Sequence, residues 1–169
     1  AAGVLRVQPR NLLEEDEDLG RDLDGMIREG QRNGSIGDNI VYGDNAPTST
    51  DPTPQDSAVG GDDVLSSLGG SDVFYGGGGN DQVSPGAGND YLHGGEGNDV
   101  LDGHIGDDRV YGGGGDDILA GSAGNDLLSG GSGDDLLLGR DGNDVLIGGG
   151  GADSLDGGNG DDLLISGSV

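Results

Sequence analysis

Aspartate recurs every nine residues through most of this chain, and these carboxylates are the side chains best suited to do chemistry. Twelve of them occupy the same position in consecutive nine-residue units: Asp63, Asp72, Asp81, Asp90, Asp99, Asp108, Asp117, Asp126, Asp135, Asp144, Asp153 and Asp162. Carboxylate oxygens are the ligands that hard divalent cations prefer. The spacing therefore predicts cation binding, with these twelve aspartates as the metal ligands.

The aspartates belong to a repeat that runs from residue 58 to residue 165 without insertion or deletion, giving twelve units. Numbered from one to nine, position four is glycine and position six is aspartate in every unit. Position eight is always apolar: Leu65, Phe74, Val83, Leu92, Leu101, Val110, Leu119, Leu128, Leu137, Leu146, Leu155 and Leu164. Three positions kept through twelve units indicate a repeat architecture.

The clearest units read GGEGNDVLD at 94–102, GGGGDDILA at 112–120 and GGSGDDLLL at 130–138. This nonapeptide resembles the RTX (repeats-in-toxin, haemolysin-type) calcium-binding family. The resemblance implies an all-β fold, a right-handed parallel β-roll, with Ca²⁺ held in its turns.

Residue chemistry gives independent reasons for a coil. Positions seven to nine suit a short strand, and alternation points position eight to one face. Positions one to six are rich in glycine and polar residues, which predicts a turn. Two units then form one coil, so units two apart stack on the same edge and bring their position-six carboxylates together. The asparagine or aspartate at position five is expected mainly to form local turn hydrogen bonds, with direct ligation as the alternative.

Composition makes this coil unfavourable without cations. Only 30% of the residues are apolar, 41 are glycine, and the formal net charge is −26. The position-eight ladder is too small to offset the conformational entropy lost on folding. Five gaps between the six turns on each edge predict roughly ten calcium ions, which would neutralise most of this charge. Folding is therefore expected to be coupled to calcium binding.

Residues 1–57 are predicted to form a capping or interaction segment with a short strand and a helix, covering the open end of the roll. Residues 34–42 look like a degenerate repeat unit, with Asn39 at position six. Residues 44–57 are predicted to be a loop, and 166–169 form a tail. Asn33 begins a match to the N-glycosylation sequon, so a glycan there stays an open alternative.

Several functions are disfavoured by the sequence. A polyanion does not bind nucleic acid, and no apolar run is long enough for a membrane span. The chain has no cysteine, and its two histidines, His93 and His104, suggest no pairing of a base with a nucleophile. We therefore expect no enzymatic activity.

The leading hypothesis is a secreted, calcium-dependent structural or assembly protein of the bacterial cell surface or matrix. Self-association would proceed head to tail, or through the apolar outer face of the even-numbered units, which includes Tyr75, Tyr91, Tyr111, Ile147 and Ile165. The alternative is a non-catalytic calcium-binding module of a larger secreted enzyme, toxin or adhesin.

Overall fold

The computed structural model describes residues 31–33, 40–42 and 61–167, and every regular element in this part of the chain is a strand. The strands are β1 (Gln31–Asn33), β2 (Ile40–Tyr42), β3 (Val64–Ser66), β4 (Val73–Gly78), β5 (Gln82–Ser84), β6 (Tyr91–Glu96), β7 (Val100–Asp102), β8 (Arg109–Gly114), β9 (Ile118–Ala123), β10 (Leu127–Ser132), β11 (Leu136–Asp141), β12 (Val145–Gly150), β13 (Ser154–Asn159) and β14 (Leu163–Ile165).

The strands form two parallel sheets of seven strands each. Odd-numbered strands make one sheet, in the order β1-β3-β5-β7-β9-β11-β13, and even-numbered strands make the other, from β14 to β2. From β3 onward each strand pairs with the strand 18 residues further on, as Leu137 does with Leu155. Two units therefore make one coil, and the predicted all-β parallel solenoid of about six turns is confirmed.

The core is a single ladder of position-eight side chains between the two sheets. Ten of them, from Leu65 to Leu146, are at most 1% exposed and form one continuous cluster. Strand alternation explains this ladder, because the neighbours at positions seven and nine point outward. Burial weakens in the last coil, where Leu155 is only partly buried and Leu164 is 45% exposed.

The boundary between strand and turn differs from the prediction. Most strands run through positions seven to nine and continue over positions one to three of the next unit, so the tight turn contains only positions four to six. The position-four glycine is required there: Gly115 has φ of 118°, and a Cβ atom on it would collide with the carbonyl group of Gly97. Strand β5, like its neighbours β3 and β7, has only three residues, and it ends before Pro85, which has no N–H to donate to the ladder.

An additional coil precedes the regular repeats. Strand β1 pairs with β3 and β2 pairs with β4, with Ile40 opposite Val73. Ile40–Tyr42 occupy positions seven to nine of the degenerate unit, and their offset from β4 is 33 residues instead of 18. The predicted N-terminal strand and helix and the loop at 44–57 lie outside the described residues. Among the elements described, there is no helix of the length and apolarity needed to cross a membrane.

The position-eight ladder generates the first prediction. Replacing Leu119, which is fully buried, with alanine should lower the free energy of unfolding in calcium by about 2–5 kcal/mol, because it leaves a cavity in a core one residue wide. Ile118 is its neighbour in β9 and is 43% exposed, so Ile118→Ala should cost less than about 1 kcal/mol. Urea unfolding of both variants measures the difference, and equal losses would contradict the inward assignment of position eight.

Candidate metal centre

The predicted ligand aspartates line the inside of the two edges of the roll. Those from Asp63 to Asp144 are at most 4% exposed, and only Asp153 and Asp162, in the last coil, are partly exposed. One edge carries Asp63, Asp81, Asp99, Asp117, Asp135 and Asp153, and the other carries Asp72, Asp90, Asp108, Asp126, Asp144 and Asp162. The structure thus brings the twelve residues together as two rows, with one carboxylate per turn.

One carboxylate oxygen of each aspartate from Asp81 to Asp162 binds the preceding coil. Oδ1 accepts a hydrogen bond from the backbone N–H of the aspartate 18 residues earlier, as in Asp99 N–H to Asp117 Oδ1 at 2.8 Å. The same bond recurs from Asp63 to Asp162 with distances of 2.7 to 3.1 Å. Each row is therefore a continuous chain of backbone-to-carboxylate hydrogen bonds that fixes the side chains in register.

The second oxygen, Oδ2, is buried but accepts no hydrogen bond in most of the row. This holds for Asp90, Asp108, Asp117, Asp126, Asp135, Asp144 and Asp153. A buried acceptor without a partner costs about 1–3 kcal/mol, and more when it is charged. The repetition of this unfavourable atom at the same place in successive turns indicates that a cationic ligand belongs there.

The glycine at position one makes room for Oδ2. A Cβ atom built on Gly139 would collide with Asp144 Oδ2 and with the carbonyl oxygen of Gly157, one coil further on. A Cβ atom on Gly112 would meet Asp117 Oδ2 and the Gly130 carbonyl oxygen in the same way. We call this space the carboxylate cradle. It is bounded by the position-one residue, by the aspartate Oδ2 atom of the same unit and by the position-one carbonyl oxygen of the next coil. It presents two kinds of oxygen that Ca²⁺ binds.

Burial and mutual repulsion disfavour the charged form of these aspartates. Burial raises the pKa of Asp117 to about 7; its hydrogen bond from Asp99 lowers the pKa, and the charges of Asp99, Asp135 and Asp116 raise it further. Burial likewise raises the pKa of Asp108 to about 7.

The same physical causes act on other members of the two rows. Burial, opposed by a backbone hydrogen bond and reinforced by neighbouring carboxylates, raises the pKa of Asp126 to about 6. Burial also raises the pKa of Asp90, Asp135 and Asp144. Such a row carries its full negative charge at neutral pH only if cations compensate it.

Position five behaves differently from the prediction of local turn bonding. Its side-chain oxygen accepts a hydrogen bond from the backbone N–H one coil later, as in Asp134 N–H to Asp116 Oδ1 at 2.8 Å and Asn125 N–H to Asp107 Oδ1 at 2.8 Å. The bonds span 18 residues because the turns stack directly on one another. Position five thus forms an exposed ladder that runs in the opposite direction to the buried position-six ladder.

The donors fit Ca²⁺ as a group bound between turns. Within the described residues, no three histidine, cysteine, aspartate or glutamate side chains converge on one point. An ion in a cradle would therefore combine few carboxylates with backbone carbonyl oxygens, which glycine-rich turns leave accessible.

One histidine contact was not anticipated from the sequence. His104 Nε2 lies 2.7 Å from Ser84 Oγ, while His104 Nδ1 lies 4.0 Å from Asp102 Oδ1. Asp102 Oδ1 instead accepts hydrogen bonds from His104 N–H and Ser122 Oγ. Ser84 and His104 are separated by 20 residues in the sequence, so their contact becomes apparent only when the coils are stacked.

Comparison with known proteins agrees with this geometry. The model of the RTX calcium-binding nonapeptide repeat (4 copies) matches residues 57–92, 84–119, 111–146 and 138–168, about two thirds of the chain. No curated protein and no solved structure gives a match. Repeats of this family bind Ca²⁺ and are typical of secreted bacterial proteins. The chain belongs to the RTX calcium-binding nonapeptide-repeat family, and residues 57–168 carry its repeats.

Proposed function

We propose that this chain is a secreted structural module whose β-roll folds when Ca²⁺ binds in its stacked turns. The observation that carries the proposal is the row of buried Oδ2 atoms that accept no hydrogen bond, such as those of Asp108, Asp117 and Asp126. An ion in each cradle would give these atoms a ligand bond. The same ion would turn the repulsion between carboxylates of adjacent coils into attraction.

The twelve position-six aspartates are proposed as the side-chain ligands. Roughly ten ions would occupy the gaps between adjacent turns, and backbone carbonyl oxygens would supply most of the remaining ligands. The summed positive charge of these ions would offset most of the formal net charge of −26. Because the unfolded chain has no preformed cradle, the free energy of binding becomes free energy of folding.

We also propose that the module has no catalytic activity of its own. The Ser84–His104 contact has the distance of a nucleophile and its base, but Asp102 is too far from Nδ1 to orient the imidazole. The His104 and Asp102 side chains are also 44% and 40% exposed, so this contact is open to water. A packed, water-excluding site is the usual setting for such chemistry.

For assembly, the last described coil supports end-to-end contact better than the even-unit outer face does. On that face Tyr75, Tyr91 and Tyr111 are half-buried against one another, with ring centroids 5.9 Å and 5.3 Å apart. At the end of the roll, Leu163, Leu164 and Ile165 are 54%, 45% and 43% exposed. A second copy stacked on β14 would bury them and continue the sheet.

The same exposed coil also favours the second candidate function. In a larger secreted enzyme, toxin or adhesin, a following segment of the same chain would cover Leu164 equally well. The two candidates differ in what they predict for association of the isolated chain in calcium.

Calcium dependence is the central prediction. Far-ultraviolet circular dichroism should show β structure that appears on adding calcium and disappears with excess EDTA. Asp117→Asn should raise the calcium concentration at the midpoint by at least about tenfold, because it removes one ligand charge from the middle of a row. Asp116→Asn is the matched control: it lies at exposed position five, where asparagine keeps the accepting oxygen, and its midpoint should stay near that of wild type.

Two results would count against this scheme. A wild-type chain that keeps its β structure in EDTA, with no bound metal, would remove the need for calcium. Equal effects of Asp117→Asn and Asp116→Asn would remove the distinction between the buried and exposed ladders.

Protons should compete with calcium. The folded pKa values of Asp108 and Asp117 are about 7, well above the ordinary value of 3.8. Without calcium these groups stabilise the fold fully below the unfolded pKa, and that stability is lost as pH rises through about 7. Lowering the pH from about 8 to about 5.5 should therefore increase the β structure of the calcium-free chain. The apparent calcium affinity should fall over the same change of pH. Titrations by circular dichroism at both pH values measure this, and pH-independent midpoints would contradict it.

Assembly through the last coil predicts reversible association in calcium. Sedimentation velocity of the wild-type chain should give a mass that rises with protein concentration. Leu164→Glu should remain monomeric while still folding in calcium, because the charge prevents a second copy from covering the coil. Ser166→Glu, the same charge on an exposed residue beyond β14, should associate like wild type. A wild-type chain that is monomeric at every concentration would favour the module of a larger protein.

A further inference from the structure

One turn of the roll differs from the others at position one. In the described units this position is glycine except at Ser67 and Pro85. Ser67 is 9% exposed, and the aspartate of its unit, Asp72, is 1% exposed. The serine side chain therefore lies inside the edge of the roll, where the other turns have an open cradle.

The Ser67 hydroxyl occupies the carboxylate cradle of its own unit. Its Oγ atom contacts Asp72 Oδ2 and the carbonyl oxygen of Pro85, which is one coil further on. These two atoms correspond to those that border the cradle at Gly139, namely Asp144 Oδ2 and the Gly157 carbonyl oxygen. The hydroxyl thus supplies to Asp72 Oδ2 the partner that Asp144 Oδ2 lacks.

Pro85 provides an internal comparison. It also carries a side chain at position one, but that side chain has no hydroxyl, and Oδ2 of Asp90 accepts no hydrogen bond. The partner of Asp72 is therefore specific to the serine hydroxyl and does not follow from any side chain at this position.

Asp72 lies at one end of its row, so it has fewer carboxylate neighbours in the row than the aspartates in the middle. Asp72 is the first aspartate on its edge, with Asp90 as its neighbour on one side. In the sequence, the degenerate unit at 34–42 has Asn39 at position six. A neutral hydroxyl can stabilise one carboxylate with a single charged neighbour, whereas an aspartate between two others needs a cation.

We infer that Ser67 replaces a calcium ion: its hydroxyl closes the cradle at Asp72, so this turn is held without metal and Asp72 is the one exception among the twelve ligands proposed above. This inference rests on the proposed function, because it concerns which cradles of the calcium-binding roll are occupied. The turn between β3 and β4 is then a calcium-independent start of the row, and calcium occupies the later turns of the same edge.

Counting bound ions tests the inference. Ser67→Gly reopens the cradle, so the folded chain should bind one more calcium ion than wild type, as measured by equilibrium dialysis with elemental analysis. Gly139→Ser closes the equivalent cradle at Asp144 and should bind one ion fewer. Ser67→Ala removes the hydroxyl, so Asp72 Oδ2 loses its partner and the variant should unfold at a lower urea concentration than wild type.

The outcomes separate the inference from the proposed function. Equal ion counts for wild type and Ser67→Gly, both folded by circular dichroism, would overturn the role of Ser67. If Ser67→Gly does not fold, the number of calcium ions bound by Gly139→Ser tests the inference instead. A number equal to that of wild type would show that a serine at position one does not displace the ion. A wild-type chain that binds no calcium would instead overturn the proposed function itself.

Discussion

The fold depends on the confinement of like charges in two rows. Ten of the twelve position-six carboxylates use one oxygen to bind the N–H of the coil before them, as Asp126 does with Asp108, and this bond prevents the side chain from turning out to solvent. The hydrogen bond that sets the register of the coils is thus the one that holds the charges together. Because the same side chain makes the hydrogen bond and carries the charge, the bond that fixes the register of the coils also brings the repelling carboxylates close together.

The interior has room for this arrangement only because three positions share it. Positions six, eight and one all point inward, and they carry a carboxylate, an aliphatic side chain and a glycine. In one half-coil Asp117 reaches toward Gly112, and Leu119 packs in the ladder beside it. A Cβ atom on Gly112 would collide with Asp117 Oδ2, and a smaller residue at position eight would leave a cavity between the sheets. Stability therefore rests on one apolar core residue per unit together with the cations that neutralise the aspartates.

Much of this could be predicted from the sequence, since the period alone determines which residues stack. An unbroken spacing of nine, with two units per coil, places Asp99 next to Asp117 and Leu137 next to Leu155 without any further information. Contacts across the coil were harder to predict. The sequence indicated that glycine at position one belongs to a turn, whereas that residue lies within a strand and faces the carboxylate five residues later, as Gly139 faces Asp144.

The missed details share a physical cause. The bonds of Asn125 and Asp116 at position five, and the contact of Ser84 with His104, join residues about one coil apart. Their side chains could have bonded locally by turn chemistry alone, and only the direct stacking of turns selects the longer connection. Ser67 had a visible signal, a hydroxyl where the repeat has glycine. Its meaning depended on knowing that position one points toward Asp72.

The charge rows also explain why folding and ion binding should be cooperative along the roll. An aspartate in the middle has a carboxylate above and below, and there burial raises the pKa values of Asp108 and Asp117 to about 7. An ion between two turns lowers the cost of charge for both of them, so it favours the ionised form of the next aspartate as well. Each occupied gap then makes the adjacent coil easier to form. The row would start at its end, where Asp72 lies beside the Ser67 hydroxyl and has a single aspartate neighbour in the row, and the demand for cations would be greatest at the centre.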